Sequence, residues 1–364
     1  MWVPTTHDAV AVGLGLMGAA LVESTASDSR SLRFLTLALA PVSLVFSMGS
    51  FPRGRNIFVV TINFLVAAYC CLLGFLLLNV ARDLLIPFMQ NRLQAGFPRE
   101  EKDYGDVCTI YVANHSSGNP WFNVTDRLDV FVLAHSIGWL IKALIVRDTK
   151  LSWICSILFE VVELCFANLL PNFNECWWDS LLLDVFGCNL IGIHLADWLL
   201  SKFGVVKFDF INRVKYQHVG GESCVVSRKR NLYFKTLFSS LILIVFITLI
   251  DLNFFFLKFI LSIPTTHWVC YVRTLLWIGA SVPSAIELYN WSSARSRKKD
   301  SFIDQCPSCV VGAIGLLLEI MVCYKFSDHL FDNSATTPIL TYVLVLSLLY
   351  ATIWSWLQVR GSGQ

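Results

Sequence analysis

One histidine, five carboxylates and two asparagines interrupt an otherwise apolar part of the chain: His135, Glu160, Glu163, Asn172, Glu175, Asp179, Asp184 and Asn189. His135 is the one member whose ordinary titration lies near neutral pH, so it is the candidate acid and base. Five carboxylates gathered at one place repel one another, and protons or a bound cation must neutralise them. Oxygen donors without clustered histidine or cysteine favour a hard ion, Ca²⁺ or Mg²⁺, over zinc. Glu160 and Glu163 are three apart and share a helix face. Glu175 and Asp179 are four apart and share one if their helix begins early. Asp184 and Asn189 diverge by about 140° on an α-helix, so that geometry does not aim them at one site.

The elements that must position these groups follow from composition. Of 364 residues, 55% are hydrophobic and 15% charged, and the mean hydropathy is +0.62. Soluble domains carry about 25% charged residues. Soluble globular, disordered and fibrous classes are excluded, and a net charge of +2 argues for no nucleic-acid partner. Runs long enough to cross a bilayer fall at 9–23, 34–49, 57–80, 128–146, 151–169, 180–200, 235–261, 268–289, 308–326 and 337–357. Their lack of period-two alternation excludes a barrel. The expectation is an all-α, polytopic transmembrane helical bundle of about ten spans in one domain, 1–364. Its active-site region is 129–197. A hairpin turn is expected at Arg147–Lys150, where four residues separate two spans.

Lys and Arg mark cytoplasmic loops. Alternate loops hold 16 of them against 7, which places both termini and the loop 201–234 in the cytoplasm and the loop 81–127 in the lumen. Two glycosylation sequons, at Asn114 and Asn123, fall in that lumenal loop. Met1 to Asp8 lacks the basic stretch of a signal peptide, so the first span is expected to be retained. An ionisable residue at a helix centre costs at least about 2.5–3.5 kcal/mol, which makes the acids of spans four to six functional candidates. With this topology His135, Glu160, Glu163, Glu175, Asp179 and Asp184 all fall in the lumenal half of the membrane. The twelve cysteines show no framework spacing and read as packing residues. The lone Cys306-Pro-Ser-Cys309 supplies only two ligands of a zinc site. The basic run Arg295, Arg297, Lys298 and Lys299 reads as a topology signal.

Between Asp129 and Asn189 stand Ala134-His-Ser-Ile-Gly-Trp139, Lys142-Ala-Leu-Ile145, Leu169-Leu-Pro-Asn-Phe-Asn-Glu-Cys-Trp-Trp-Asp179, Leu183-Asp184 and Cys188-Asn189. Through these motifs the stretch resembles the eukaryotic base-exchange phosphatidylserine synthase family. The likeness continues in Asp251-Leu-Asn-Phe-Phe-Phe-Leu-Lys258, Gly312-Ala-Ile-Gly-Leu-Leu-Leu-Glu319 and Cys323-Tyr-Lys-Phe326, and more weakly in Phe51-Pro-Arg-Gly-Arg55. Where the family has a Gly-rich stretch after Cys-Asn, this chain has Leu190-Ile-Gly-Ile-His194.

The resemblance implies an enzyme of the endoplasmic reticulum membrane. It would replace the choline or ethanolamine of phosphatidylcholine or phosphatidylethanolamine with L-serine, using Ca²⁺, and could act as a homodimer. Carried onto this chain, His135 is the acid and base, with Glu160 and Asp184 beside it. Glu163, Glu175 and Asp179 hold the calcium, and Asn172 and Asn189 bind phosphate or serine. Two alternatives are a CDP-alcohol-type phosphatidyltransferase and an ion- or proton-coupled transporter. The first would need D-x2-D-G-x2-A-R-x8-G-x3-D-x3-D, whereas no Asp-Gly pair occurs in this chain. The second would use the acids as its pathway.

Overall fold

The computed structural model describes residues 56–93, 104–105, 107–114, 116–128, 130–208, 210, 222–292, 301–327 and 330. The expected spans 9–23, 34–49 and 337–357, and the basic run 295–299, lie outside them. Among the described residues the protein is helical, with no strand beyond one isolated bridge between Tyr104 and Glu175.

The main helices are α1 (Ile57–Asn79), α2 (Arg82–Leu93), α3 (Val130–Val146), α4 (Thr149–Phe166), a π-helix (Asp179–Asn189) running directly into α5 (Leu190–Lys202), α6 (Glu222–Ile260), α7 (Trp268–Trp291) and α8 (Pro307–Phe326). Among the described residues, five stretches are long and apolar enough to cross a membrane: Ile57–Leu78, Asp179–Lys202, Phe234–Ile260, Trp268–Trp291 and Pro307–Phe326. α3 is apolar but shorter, at 17 residues. Phe131, Leu133, Leu182, Phe186 and Leu275 point outward, as expected of faces that meet lipid rather than water. Part of the stretch expected as the loop 81–127 is helical, namely α2, with Pro87 inside it.

The described residues pack as two compact units, one holding 56–93 with 249–327, the other 104–248. In the first, Glu319 of α8 is fully buried and accepts five hydrogen bonds. They come from Tyr69 Oη (2.7 Å), Arg273 Nε (2.8 Å), Arg273 Nη2 (2.6 Å), Trp277 Nε1 (3.0 Å) and Asn253 Nδ2 (3.1 Å). One carboxylate thereby ties α1, α6, α7 and α8 together. Lys325 closes the end of α1 by donating to the carbonyls of Leu76, Leu77 and Val80. The sequence reading, which put the buried ionisable groups in one stretch only, missed this second group.

In the second unit, α3 and α4 form the expected hairpin. Arg147 takes a positive φ of 54°, and Asp148 caps α4 by accepting from the N–H groups of Lys150 and Leu151. Its other carboxylate oxygen accepts from Phe210 N–H at 2.8 Å. α3 and α5 approach so closely at Gly192 that a Cβ there would lie 2.5 Å from the carbonyl oxygen of Ser136. Glycine is required at that crossing, one residue along α3 from His135.

Candidate active site

The π-helix decides how the site is built. Its hydrogen bonds run from i to i+5, so residues five apart lie much nearer one face than they do on an α-helix. Asp179, Asp184 and Asn189 have that spacing and fall within Asp179–Asn189. All three are buried. The α-helical spacing rule, which separated Asp184 from Asn189 by about 140°, does not apply here. The wider turn brings them toward one side of the helix. π-helical turns are uncommon and concentrate at functional sites.

His135, on α3, is held by that face. Its Nε2 lies 2.8 Å from Asn189 Oδ1, and Trp139 Nε1–H points at the same nitrogen from 3.1 Å. The other ring nitrogen, Nδ1, faces Asp184 Oδ1 at 3.7 Å. Nε2 therefore has one donor and one acceptor beside it. When bare it accepts from Trp139; when protonated it donates to Asn189. A group that must gain and lose a proton has a partner in both states.

Asn189 is fully exploited inside the protein. Its Nδ2 donates to Ser156 Oγ (2.8 Å) and Glu160 Oε1 (3.1 Å), both on α4. Ser156 sits four residues before Glu160 and so on the same helix face. Glu163 is the next residue on that face, and it is buried like Glu160. Each keeps one carboxylate oxygen, Oε2, buried and without a hydrogen-bond partner among the described residues. A buried acceptor in that state costs about 1–3 kcal/mol. Two such oxygens on one helix face fit a site that receives a cation or a donor from a substrate.

Glu175 lies in the connection between α4 and the π-helix, after the 3₁₀ turn Pro171–Phe173 that carries Asn172. It accepts from Ser180 Oγ at 3.2 Å and shares a hydrogen bond with the Asp184 carboxyl. Burial, with the nearby Asp179 carboxylate, pushes its carboxyl up from 4.5 to about 7. Glu163 lies close enough to Glu160, Glu175 and Asp184 to interact with their charges. Among the described residues no three His, Cys, Asp or Glu side chains are already closed into a metal cage. Glu175 and Asp184 instead bond to each other.

The sequence-predicted set thus converges in part through direct bonds: His135, Glu160 and Asn189 in one chain, Asp184 and Glu175 in a second, with His135 and Asp184 facing each other between them. Glu163 and Asp179 join through charge and burial. Asn172 is half-buried in its turn. The sequence reading missed Ser156, whose spacing from Glu160 was a usable signal, and Trp139, which stands inside a quoted motif. It also missed a disulfide. Cys108 and Cys176 are joined across 68 residues, and Trp178 Nε1 donates to the Cys108 carbonyl at 3.2 Å. The bond fastens the segment around residue 104 to the one that carries Glu175. Cys306 and Cys309 are buried and not joined by a disulfide.

Comparison with known proteins identifies the family. The phosphatidyl serine synthase family profile matches residues 56–327. The chain is 31% identical over 320 residues to CDP-diacylglycerol--serine O-phosphatidyltransferase 2 of Oryza sativa subsp. japonica, covering 80% of this chain and 72% of that one. It is 31% identical over 286 residues to CDP-diacylglycerol--serine O-phosphatidyltransferase 1 of Arabidopsis thaliana, covering 72% and 64%. It is 30% identical over 276 residues to phosphatidylserine synthase 2 of Mus musculus, covering 72% and 57%. The chain therefore spans between about half and three-quarters of the length of these relatives. With the match running through α1, the whole acid-bearing stretch and α8, the chain belongs to the phosphatidyl serine synthase family.

Proposed function

We propose that the protein is a phosphatidylserine synthase working by base exchange. In this reading the serine hydroxyl replaces the choline or ethanolamine of an existing phospholipid. The observation that carries it is His135 Nε2, set between the Trp139 donor and the Asn189 acceptor. Base exchange needs one proton removed from the serine hydroxyl and one returned to the departing alcohol, and a single imidazole can do both. The new bond joins the serine oxygen to phosphorus, the old phosphorus–oxygen bond to the headgroup breaks, and the net proton count is unchanged. Asp184 orients the ring through Nδ1. Asn189 spends its amide on His135, Ser156 and Glu160, so it positions the histidine rather than the substrate. Glu160, with its remaining oxygen, takes the serine ammonium, and Asn172 hydrogen-bonds phosphate or serine.

Glu163, Glu175 and Asp179 would hold the calcium ion. Bound there, it would neutralise charge developing on the phosphate oxygens. The unpartnered oxygen of Glu163 and the carboxyl-rich, all-oxygen donor set support this choice.

The same reading takes the chain as a protein of about ten spans in the endoplasmic reticulum membrane, with both termini cytoplasmic and the 81–127 stretch lumenal, and as a homodimer. The Cys108–Cys176 disulfide supports the lumenal assignment, since such bonds persist in oxidising compartments.

Purified protein in vesicles of phosphatidylcholine or phosphatidylethanolamine, given radiolabelled L-serine with Ca²⁺ or a chelator, tests this. Labelled phosphatidylserine with release of choline or ethanolamine, formed only with Ca²⁺, is expected. A second reading, with CDP-diacylglycerol as donor, is favoured by the names of the plant relatives. Product formed only when that lipid is supplied, with release of CMP, would establish it instead.

A further inference from the structure

Arg127 stands three residues before α3, on the side of the site where the disulfide-bound segment lies. It is only 8% exposed. Its guanidinium lies over the Tyr104 ring, 4.9 Å from the centroid. Its Nε has no hydrogen-bond partner, and it forms no ion pair among the described residues. Glu175, whose backbone is bridged to Tyr104, is near enough to interact with its charge.

A buried arginine without a counter-ion is expensive, since its desolvation is not offset. Stacking holds the planar group by its face and leaves its edge, the fork of N–H donors, for a partner. That fork matches a carboxylate or a phosphodiester bidentately. Two features favour the carboxylate. Arg127 precedes the apolar helix α3 rather than lying within it. It also stands next to Glu175 without pairing to it. An acid-rich cluster and a cation outside any ion pair side by side suit a zwitterion, whose ammonium and carboxylate need opposite partners at short range.

Resting on the base-exchange reading, we propose that Arg127 binds the carboxylate of the incoming L-serine, and so makes the enzyme prefer serine to ethanolamine, which has the same hydroxyl and ammonium but no carboxylate. Tyr104 is the platform that holds the guanidinium in place.

The test uses full-length protein in phosphatidylcholine nanodiscs, with labelled L-serine and labelled ethanolamine as acceptors and calorimetric titration of each. A charge-assisted bidentate contact predicts that Arg127→Gln raises the serine KM by about 10- to 100-fold and lowers the serine-to-ethanolamine ratio of kcat/KM by a similar factor. Arg127→Lys should recover part of the loss. Equal losses with both acceptors, or serine binding by Arg127→Gln as tight as by wild type, overturns the inference. Arg127→Lys with a wild-type melting profile separates this from misfolding. A wild-type protein that binds serine yet exchanges no headgroup refutes the base-exchange reading while leaving the binding comparison intact.

Discussion

Two buried glutamate sites in this protein have opposite accounts. Glu319 is surrounded by five donors from Tyr69, Arg273, Trp277 and Asn253, so every lone pair it directs inward is used. Glu160 and Glu163 are also buried, yet each keeps an oxygen with no protein partner among the described residues. The first is a joint, in which a carboxylate replaces water for four helices. The other two are incomplete without something the chain does not itself provide. Burial alone would rank Glu319 first as a functional group; hydrogen-bond satisfaction reverses the order. A saturated buried acid organises the fold, and an unsaturated one reserves a place.

Mutation can break this contrast. The largest effect is expected at the site: His135→Gln should lower headgroup exchange by about 10²–10⁴-fold with little change in melting temperature, read by labelled-serine incorporation and by scanning fluorimetry. A collapse of stability instead would make His135 part of the joint class. Next, Glu319→Gln or Arg273→Met should each destabilise the protein by about 3–5 kcal/mol, because one charge is left buried alone. Glu160→Gln and Glu163→Gln should leave stability equal or improved while exchange falls at least about tenfold. If Glu163→Gln melts like Glu319→Gln, the distinction drawn here is wrong.

A smaller effect is expected from the tether. Cys108→Ser, or reduction of the native protein, should cost about 2–4 kcal/mol and lower exchange by releasing the segment that carries Glu175, measured with and without dithiothreitol. Retained full activity after complete reduction, checked by thiol titration, would separate the tether from the site.

The smallest effect is a pH dependence. Glu175 is pushed up to about 7, and only its ionised form can hold a cation. Exchange should therefore fall about tenfold between pH 8 and 6. The stability contribution has the opposite sign: a carboxyl raised from 4.5 favours the folded state when protonated, so the cation-free protein loses stability as pH rises through about 7. Glu175→Gln should abolish both slopes, seen in pH–rate and pH–melting profiles.

Much of this was legible in the sequence. The apolar runs at 57–80, 180–200, 235–261, 268–289 and 308–326 reappear as the five crossing-length helices, because length and hydropathy need no tertiary knowledge. The turn at Arg147–Lys150 and the shared face of Glu160 and Glu163 followed from local spacing. What escaped depended on departures from local rules. The angle between Asp184 and Asn189 was misjudged because 3.6 residues per turn was assumed. The Cys108–Cys176 pair, 68 residues apart, left no periodic trace. Glu319 and Arg273 lie in helices far enough apart in sequence that neither announces the other.

The π-helix also sets the tolerance of the chain to changes of length. Substitutions within Asp179–Asn189 alter one side chain, but a one-residue deletion between Asp184 and Asn189 would let the segment close to ordinary α-helical winding. Asn189 would then stand fourth after Asp184, where α-helical winding sets it about 40° away around the axis, so the spacing of the site residues and the π-winding are linked. Five-residue spacing under α-helical winding would instead put Asp184 and Asn189 about 140° apart and turn one of them away from His135. Counting residues between Asp179 and Asn189, together with the winding of that segment, is therefore a sharper guide to whether a homologous chain builds this site in the same way than its percentage of identical residues.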